Sequence, residues 1–245
     1  MAQDGSNLGE KALSKVVEVG ITSQLDAVKD IAVDIRTDPG DLIQGEINSA
    51  VITGKGLVMK QDLRVEAVEV CTNKVAVNPL GAVLGNIELT RSTDAKAHLI
   101  LTEVDLNRAV NSEYLQQKLQ GLKMQVDGNL VTIDVQEVDI QLLDDNHFVI
   151  TANLSIRELG KPAKLSASII PSVKDNGHRI AFEILSVEEE GITKESAISI
   201  LEELTNLLDL RNFDIPDIDL RLDRLNIEKG KMVIQAQSQI QQISL

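Results

Sequence analysis

The chain has 245 residues, 43% of them apolar, which is enough for a sizeable folded core and rules out a wholly disordered chain. With 24 Lys and Arg against 38 Asp and Glu the formal charge is -14, which repels phosphate backbones, and four scattered rings (Tyr114, Phe148, Phe182, Phe213) form no platform for stacking bases, so nucleic acid is excluded as a partner. One cysteine, Cys71, and three well-separated histidines, His98, His147 and His178, exclude a disulfide framework and a zinc ribbon.

The first predicted element is an amphipathic helix over 8–24. Leu8, Ala12, Leu13, Val16, Val17, Val19 and Gly20 fall within about half its circumference, and Glu10, Lys11, Ser14, Lys15, Glu18 and Thr22 fill the other half. Ser6 or Asn7 is the expected N-cap. From Ile31 the apolar period changes from 3.6 to 2, the spacing of half-buried strands. Ile31, Val33 and Ile35 alternate with Ala32, Asp34 and Arg36; Leu63, Val65 and Ala67 with Arg64 and Glu66; Ala97, Leu99 and Leu101 with Lys96 and His98. The clearest run is Phe148, Ile150, Ala152, Leu154 and Ile156. Further strands are expected at 131–135, 163–169, 180–184, 218–222 and 232–240, with turns at Asp127-Gly128, Asp144-Asp145-Asn146, Asp175-Asn176-Gly177 and Lys229-Gly230. Gly54-Lys55-Gly56 also reads as a turn, too short to cradle a pyrophosphate.

Two more helices fit the pattern. One runs over 103–119, where Thr102 caps and Asp105 sits three residues on in a capping-box position. The other follows Thr193, with Ala197, Leu201, Leu204 and Leu208 at helical spacing. The expected fold is therefore α+β: a long antiparallel β-sheet against a long N-terminal amphipathic helix and one or two further helices. No Pro-rich or Gly/Ser-rich linker interrupts the chain, so 1–245 is read as a single domain, with subdomains 1–123 and 124–245 as the one division the hairpin-rich second half would allow.

No local motif carries chemistry. There is no nucleophile elbow, phosphate loop or helical histidine pair, and His98 is expected on the wet face of a strand while His147 and His178 border turns. The acidic run Asp214, Asp217, Asp219 and Asp223 lacks the central glycine and closing Glu of a calcium loop and reads as a solvated strand face. Cys71 has neither a histidine nor a cluster of basic residues beside it and reads as an inert thiol. No catalytic residue, metal or cofactor is expected.

What remains is apolar surface. The dry arc of the first helix is near 180°, wider than the roughly 100° that packing on a sheet requires, so either the sheet and the other helices cover the whole arc or part of it lines a cavity for a fatty ligand. The N-terminal residues Met1, Ala2, Gln3 and Asp4 carry acid where a secretory signal carries base, and the longest charge-free apolar stretch, residues 75–87, contains Asn78, Pro79 and two glycines, short of the roughly 18 residues of a membrane span. A cytoplasmic protein, at most peripheral to a membrane, is expected.

Several segments resemble, in order, the LmeA family of phospholipid-binding proteins: Thr22-Ser23-Gln24-Leu25, Leu42-Ile43-Gln44-Gly45-Glu46-Ile47, Gly54-Lys55-Gly56-Leu57, Val75-Ala76-Val77-Asn78-Pro79, and above all Leu101-Thr102-Glu103-Val104-Asp105-Leu106-Asn107. Phe213 to Leu225 with Asn226-Ile227-Glu228-Lys229-Gly230 is similar to the family's closing hairpin. An intracellular cyanobacterial member is the nearer likeness, since mycobacterial members are exported. The resemblance implies a fold similar to the tubular lipid-binding superfamily, in which a curved sheet wraps a long helix beside a groove for acyl chains. It implies a non-enzymatic protein that holds phospholipid or another acyl ligand for transfer or membrane homeostasis, with transient membrane contact. Leu13, Val17 and Ile21 from the first helix and Leu201, Leu204 and Leu208 from the later one are the candidate lining residues. The alternative is a structural or interaction protein whose apolar groove takes a segment of a partner protein.

Overall fold

A computed structural model describes residues 3–59, 63–78, 88–126, 129–158, 160–207 and 218–241. Helix α1 (Gln3–Ser23) leads into β1 (Asp30–Arg36), the short helix α2 (Pro39–Ile43), β2 (Glu46–Ile47), β3 (Ser49–Met59), β4 (Leu63–Thr72), β5 (Val75–Ala76) and β6 (Thr93–Thr102). Helices α3 (Glu103–Val110) and α4 (Glu113–Lys118) follow, then β7 (Leu122–Val126), β8 (Asn129–Leu142), β9 (Phe148–Ile156), β10 (Lys161–Lys174), β11 (Arg179–Glu190), helix α5 (Lys194–Leu207), β12 (Ile218–Glu228) and β13 (Lys231–Ile240).

The fold is α+β and mainly antiparallel sheet, one sheet being curled into a half-barrel. The strands form two larger sheets where the period-2 pattern predicts one. Six strands run in the order β1-β3-β4-β6-β13-β12, five in the order β11-β10-β9-β8-β7, and β2 pairs with β5. Strands 7 to 11 are sequential hairpins, whereas β12 and β13 return to the first sheet beside β6.

Local chemistry places the breaks. The predicted turns at Asp144-Asp145-Asn146 and Asp175-Asn176-Gly177 are present, with Asp145, Asn146, Asp175 and Asn176 at positive φ, which Asn and Asp tolerate better than other side chains. The turn at Asp127-Gly128 lies outside the described residues. Gly54-Lys55-Gly56 is not a turn: it lies inside β3, in continuous register with β4. Gly56 has φ +58, and a Cβ there would stand 3.0 Å from Cβ of Lys29, so glycine lets the strand bend past its neighbour without ending. The helix expected over 103–119 is two, because Ser112 opens a new one by accepting the backbone N–H of Leu115. Helix α1 begins at Gln3, so Ser6 and Asn7 fall inside it and do not cap it.

The second sheet holds the main core. Ile133, Leu142, Leu154, Ile156, Leu165 and Ile169 are fully buried, and helix α5 closes over them with Ala197, Ile200 and Leu201. Thr193 caps α5 as expected, accepting from the Ser196 N–H at 3.2 Å. Leu225 and Ile227 of β12 join the same cluster, which is how the two sheets share apolar packing.

Helix α3 fastens the sheets together by polar contacts. Beyond Ile133, β8 has no β7 partner, and α3 runs antiparallel along that edge. Glu103 accepts from the Leu142 N–H at 2.7 Å. Asn107 donates to the Ile140 carbonyl at 2.7 Å and accepts its N–H at 2.8 Å, and Asn111 does the same with Val138 at 2.6 and 3.1 Å. Helix residues four apart rise about 6.0 Å and strand residues two apart about 6.7 Å, so every fourth side chain meets every second backbone unit. At its other end α3 is tied to the first sheet. Thr102 and Asp105 form the predicted capping box, and Asp105, almost fully buried, takes Arg64 of β4 at 2.5 Å. Burial alone would raise the Asp105 carboxyl, but hydrogen bonds from Thr102 and Arg64 hold it below its ordinary range.

Candidate functional site

The pairing register of the six-stranded sheet defines its inner face. One cross-strand row runs Val33, Ile52, Val70, Ala97, Ala236, Leu222. The next runs Ile31, Gly54, Val68, Leu99, Ile234, Leu225. Both are apolar from edge to edge, and the bulge between Leu222 and Arg224 keeps Leu225 on the same side as Leu222. At strand spacings of about 4.8 Å, six strands make a strip roughly 24 Å wide. The third row, Ile35, Ala50, Thr72, Ala95, Ser238, Leu220, admits two hydroxyls.

The opposite face is wet. Thr53, Glu69, His98 and Gln235 form its central row, and His98 is exposed as the alternation predicts. Asp34 and Asp219, on this face, are held below the ordinary carboxylate value by hydrogen bonds from Arg36 and Arg221. Asp223, also of the acidic run, accepts from Gln237; Asp214 and Asp217 lie outside the described residues. Burial and the neighbouring Glu69 push the Cys71 thiol up, away from the reactive thiolate. A cavity of about 240 Å³ opens on this polar side, with Thr53, Lys55, Glu69 and His98 among its walls, smaller than the roughly 300 Å³ that begins to enclose a drug-sized ligand.

Helix α1 covers only one edge of the inner face. Leu13, Val16 and Val17 pack with Val33, Ile35, Ala50, Ile47 and Val77 in a small cluster of their own. The helix also closes the free edge of β1 as α3 closes β8: Glu10 accepts the Thr37 N–H at 2.9 Å and Ser14 the Ile35 N–H at 3.2 Å. Further along, Ile52, Val68, Val70, Ala97 and Leu99 are only half-buried and belong to neither apolar cluster among the described residues. In a packed sheet the central strands are the most enclosed, as Leu154 and Leu165 are in the second sheet. Here Ile52, Val68, Val70, Ala97 and Leu99 are the less enclosed part of the central strands, while Ala95 of β6 and Ala236 of β13 on the same face are buried.

The candidate lining residues divide accordingly. Leu13 and Val17 sit in the α1 cluster, and Ile21 is half-buried further along the same helix. Leu201 is 0% exposed in the main core of the second sheet, so the structure does not bring it together with Leu13 and Val17. Leu204 falls within α5, but its side chain lies outside the described residues, as Leu208 does entirely. No candidate lining residue falls on the apolar strip of β3, β4 and β6. Its signal was the alternation of each strand, which identifies an apolar face without saying what faces it. Part of the α1 arc is left exposed, Leu8 at 69% and Val19 at 58%.

Comparison with known families decides the relationship. A family model described as LmeA-like phospholipid-binding matches residues 4–237. The chain belongs to this family. Its membership points to a lipid-binding role and to no known class of enzyme. A search of the curated proteins finds no match. Among the described residues no helix is long and apolar enough to cross a membrane.

Proposed function

We propose that the chain is a soluble, non-enzymatic protein that holds phospholipid or another acyl ligand against the inner face of its six-stranded sheet, beside α1, with 1–245 acting as one lipid-binding domain. The observation that carries this reading is the group Ile52, Val68, Val70, Ala97 and Leu99, apolar, central in the sheet and, among the described residues, in neither core cluster. Leu13, Val17 and Ile21 of α1 form the nearer wall.

The mechanism is solubilisation, and it needs no reacting group. Each methylene moved from water to a dry surface contributes about 0.8 kcal/mol, so a chain of some 14 carbons offers roughly 10 kcal/mol before ordering costs. That supports carrying a lipid between membranes, or keeping a membrane's composition steady, with short contacts at each end.

Native mass spectrometry of gently purified protein is the direct test. The expected result is a co-purifying mass of phospholipid or fatty acid, together with saturable uptake of a fluorescent acyl chain. A clean apo mass with no uptake overturns the reading, and a stoichiometric protein partner in place of lipid would reassign the strip to a protein segment.

A further inference from the structure

The polarity of the inner face changes along the strands. The rows through Ala97 and Leu99 are wholly apolar, whereas the rows towards the start of β6 admit the hydroxyls of Thr72, Ser238 and Thr93. Thr72 is occupied, because its hydroxyl accepts from the Ala50 N–H at 3.2 Å. Thr93 is not. It is 3% exposed, shares a face with Ala95, Ala97 and Leu99, and its Oγ1 is closed off from solvent with no hydrogen-bond partner among the described residues. It is the first residue of β6, beyond the last β4 pairing at Thr72 and Ala95, so no β4 residue stands beside it.

A buried hydroxyl without a partner is uncommon, because its one donor and two acceptor sites are normally satisfied. On a face read as ligand-bearing, an orphan donor marks where the ligand brings an acceptor. The surroundings select that acceptor's chemistry. Ala95 on the same face and Ile240, the cross-strand partner of Thr93, are apolar, so a neutral acceptor costs less to bring there than an ionised phosphate. An ester carbonyl is a neutral acceptor already attached to a hydrocarbon chain.

We propose that the Thr93 hydroxyl donates to an ester carbonyl of the bound acyl lipid and so fixes its direction, with the glycerol end at Thr93 and the tails running over Ala97 and Leu99 towards α3. From Thr93 to Leu99 the strand advances about 20 Å, room for a long chain. This inference rests on the reading that the inner face holds acyl chains, and it adds the polar contact and the orientation.

The test is displacement of a pyrene-labelled fatty acid from the full chain by dioleoyl phosphatidylcholine and by its dialkyl ether analogue, which keeps head group and tails but lacks the carbonyls. The wild type should favour the ester about tenfold. Thr93→Val should abolish that preference with an unchanged or raised melting temperature, Thr93→Ala should abolish it too, and Thr93→Ser should retain it. A wild type indifferent to the carbonyl, or a Thr93→Val variant that still prefers the ester, overturns the inference while leaving acyl binding intact. Failure of the probe and of both lipids to bind at all would instead overturn the reading of the inner face.

Discussion

Asn107 makes two hydrogen bonds to the backbone of Ile140, one in each direction, where a neighbouring strand would otherwise pair. Asn107→Ala leaves an N–H and a carbonyl at a covered strand edge without partners, each costing about 1–3 kcal/mol. We expect a loss of about 3 kcal/mol in urea denaturation. Asp105 is the second lever. Its carboxyl is held below the ordinary value of 3.8, so it stabilises the fold at neutral pH, and that contribution is lost as pH falls below 3.8 through the lower folded-state value. Asp105→Asn should cost about 3 kcal/mol at pH 7 and remove this segment of the acid-unfolding curve, leaving wild type and variant alike at the lowest pH. The capping box at Thr102 was readable from spacing alone because both of its partners lie within four residues. The pairing of Asp105 with Arg64, 41 positions away, and of Asn107 with Ile140, 33 away, was not, because sequence patterns report neighbours in the chain.

At the scale of single elements, α1 combines two roles on adjacent sides. Glu10 and Ser14 close the β1 edge, while Leu13, Val16 and Val17 turn towards the sheet. If Val17 borders the ligand, Val17→Asp should reduce uptake of a fluorescent acyl chain several-fold with a smaller proportional loss of thermal stability. Matched losses in uptake and melting temperature would make Val17 ordinary core. The amphipathic pattern of α1 and the period of the strands were legible because each is repeated many times over a short span. The break between α3 and α4 was not, since apolar spacing continues across it and masks the N-cap at Ser112, while Asn111 just before it is tied to Val138 of a distant strand.

For the whole molecule, charge and topology set the behaviour. A formal charge of -14 is repelled by anionic vesicles. Uptake of labelled lipid should be several-fold slower from phosphatidylglycerol vesicles than from phosphatidylcholine at low salt. Raising salt to about 0.15 M, where the Debye length is about 8 Å, should narrow that gap. Equal rates at every salt concentration would show that net charge does not govern docking. The α+β class and hairpin content were readable from composition and period, but the return of β12 and β13 to the first sheet was not, because hairpins specify their own partners and leave the pairing between hairpins open. The meshing of α3 with β8 has a further consequence. Each rung advances about 6.0 Å on the helix and 6.7 Å on the strand, so the two rulers drift apart by about 0.7 Å per step and a suture of this kind runs out after a few rungs. One residue inserted between Glu103 and Asn111 would swing the next side chain about 100° off the edge, so length changes there are tolerable only as a matched exchange, four residues of helix for two of strand.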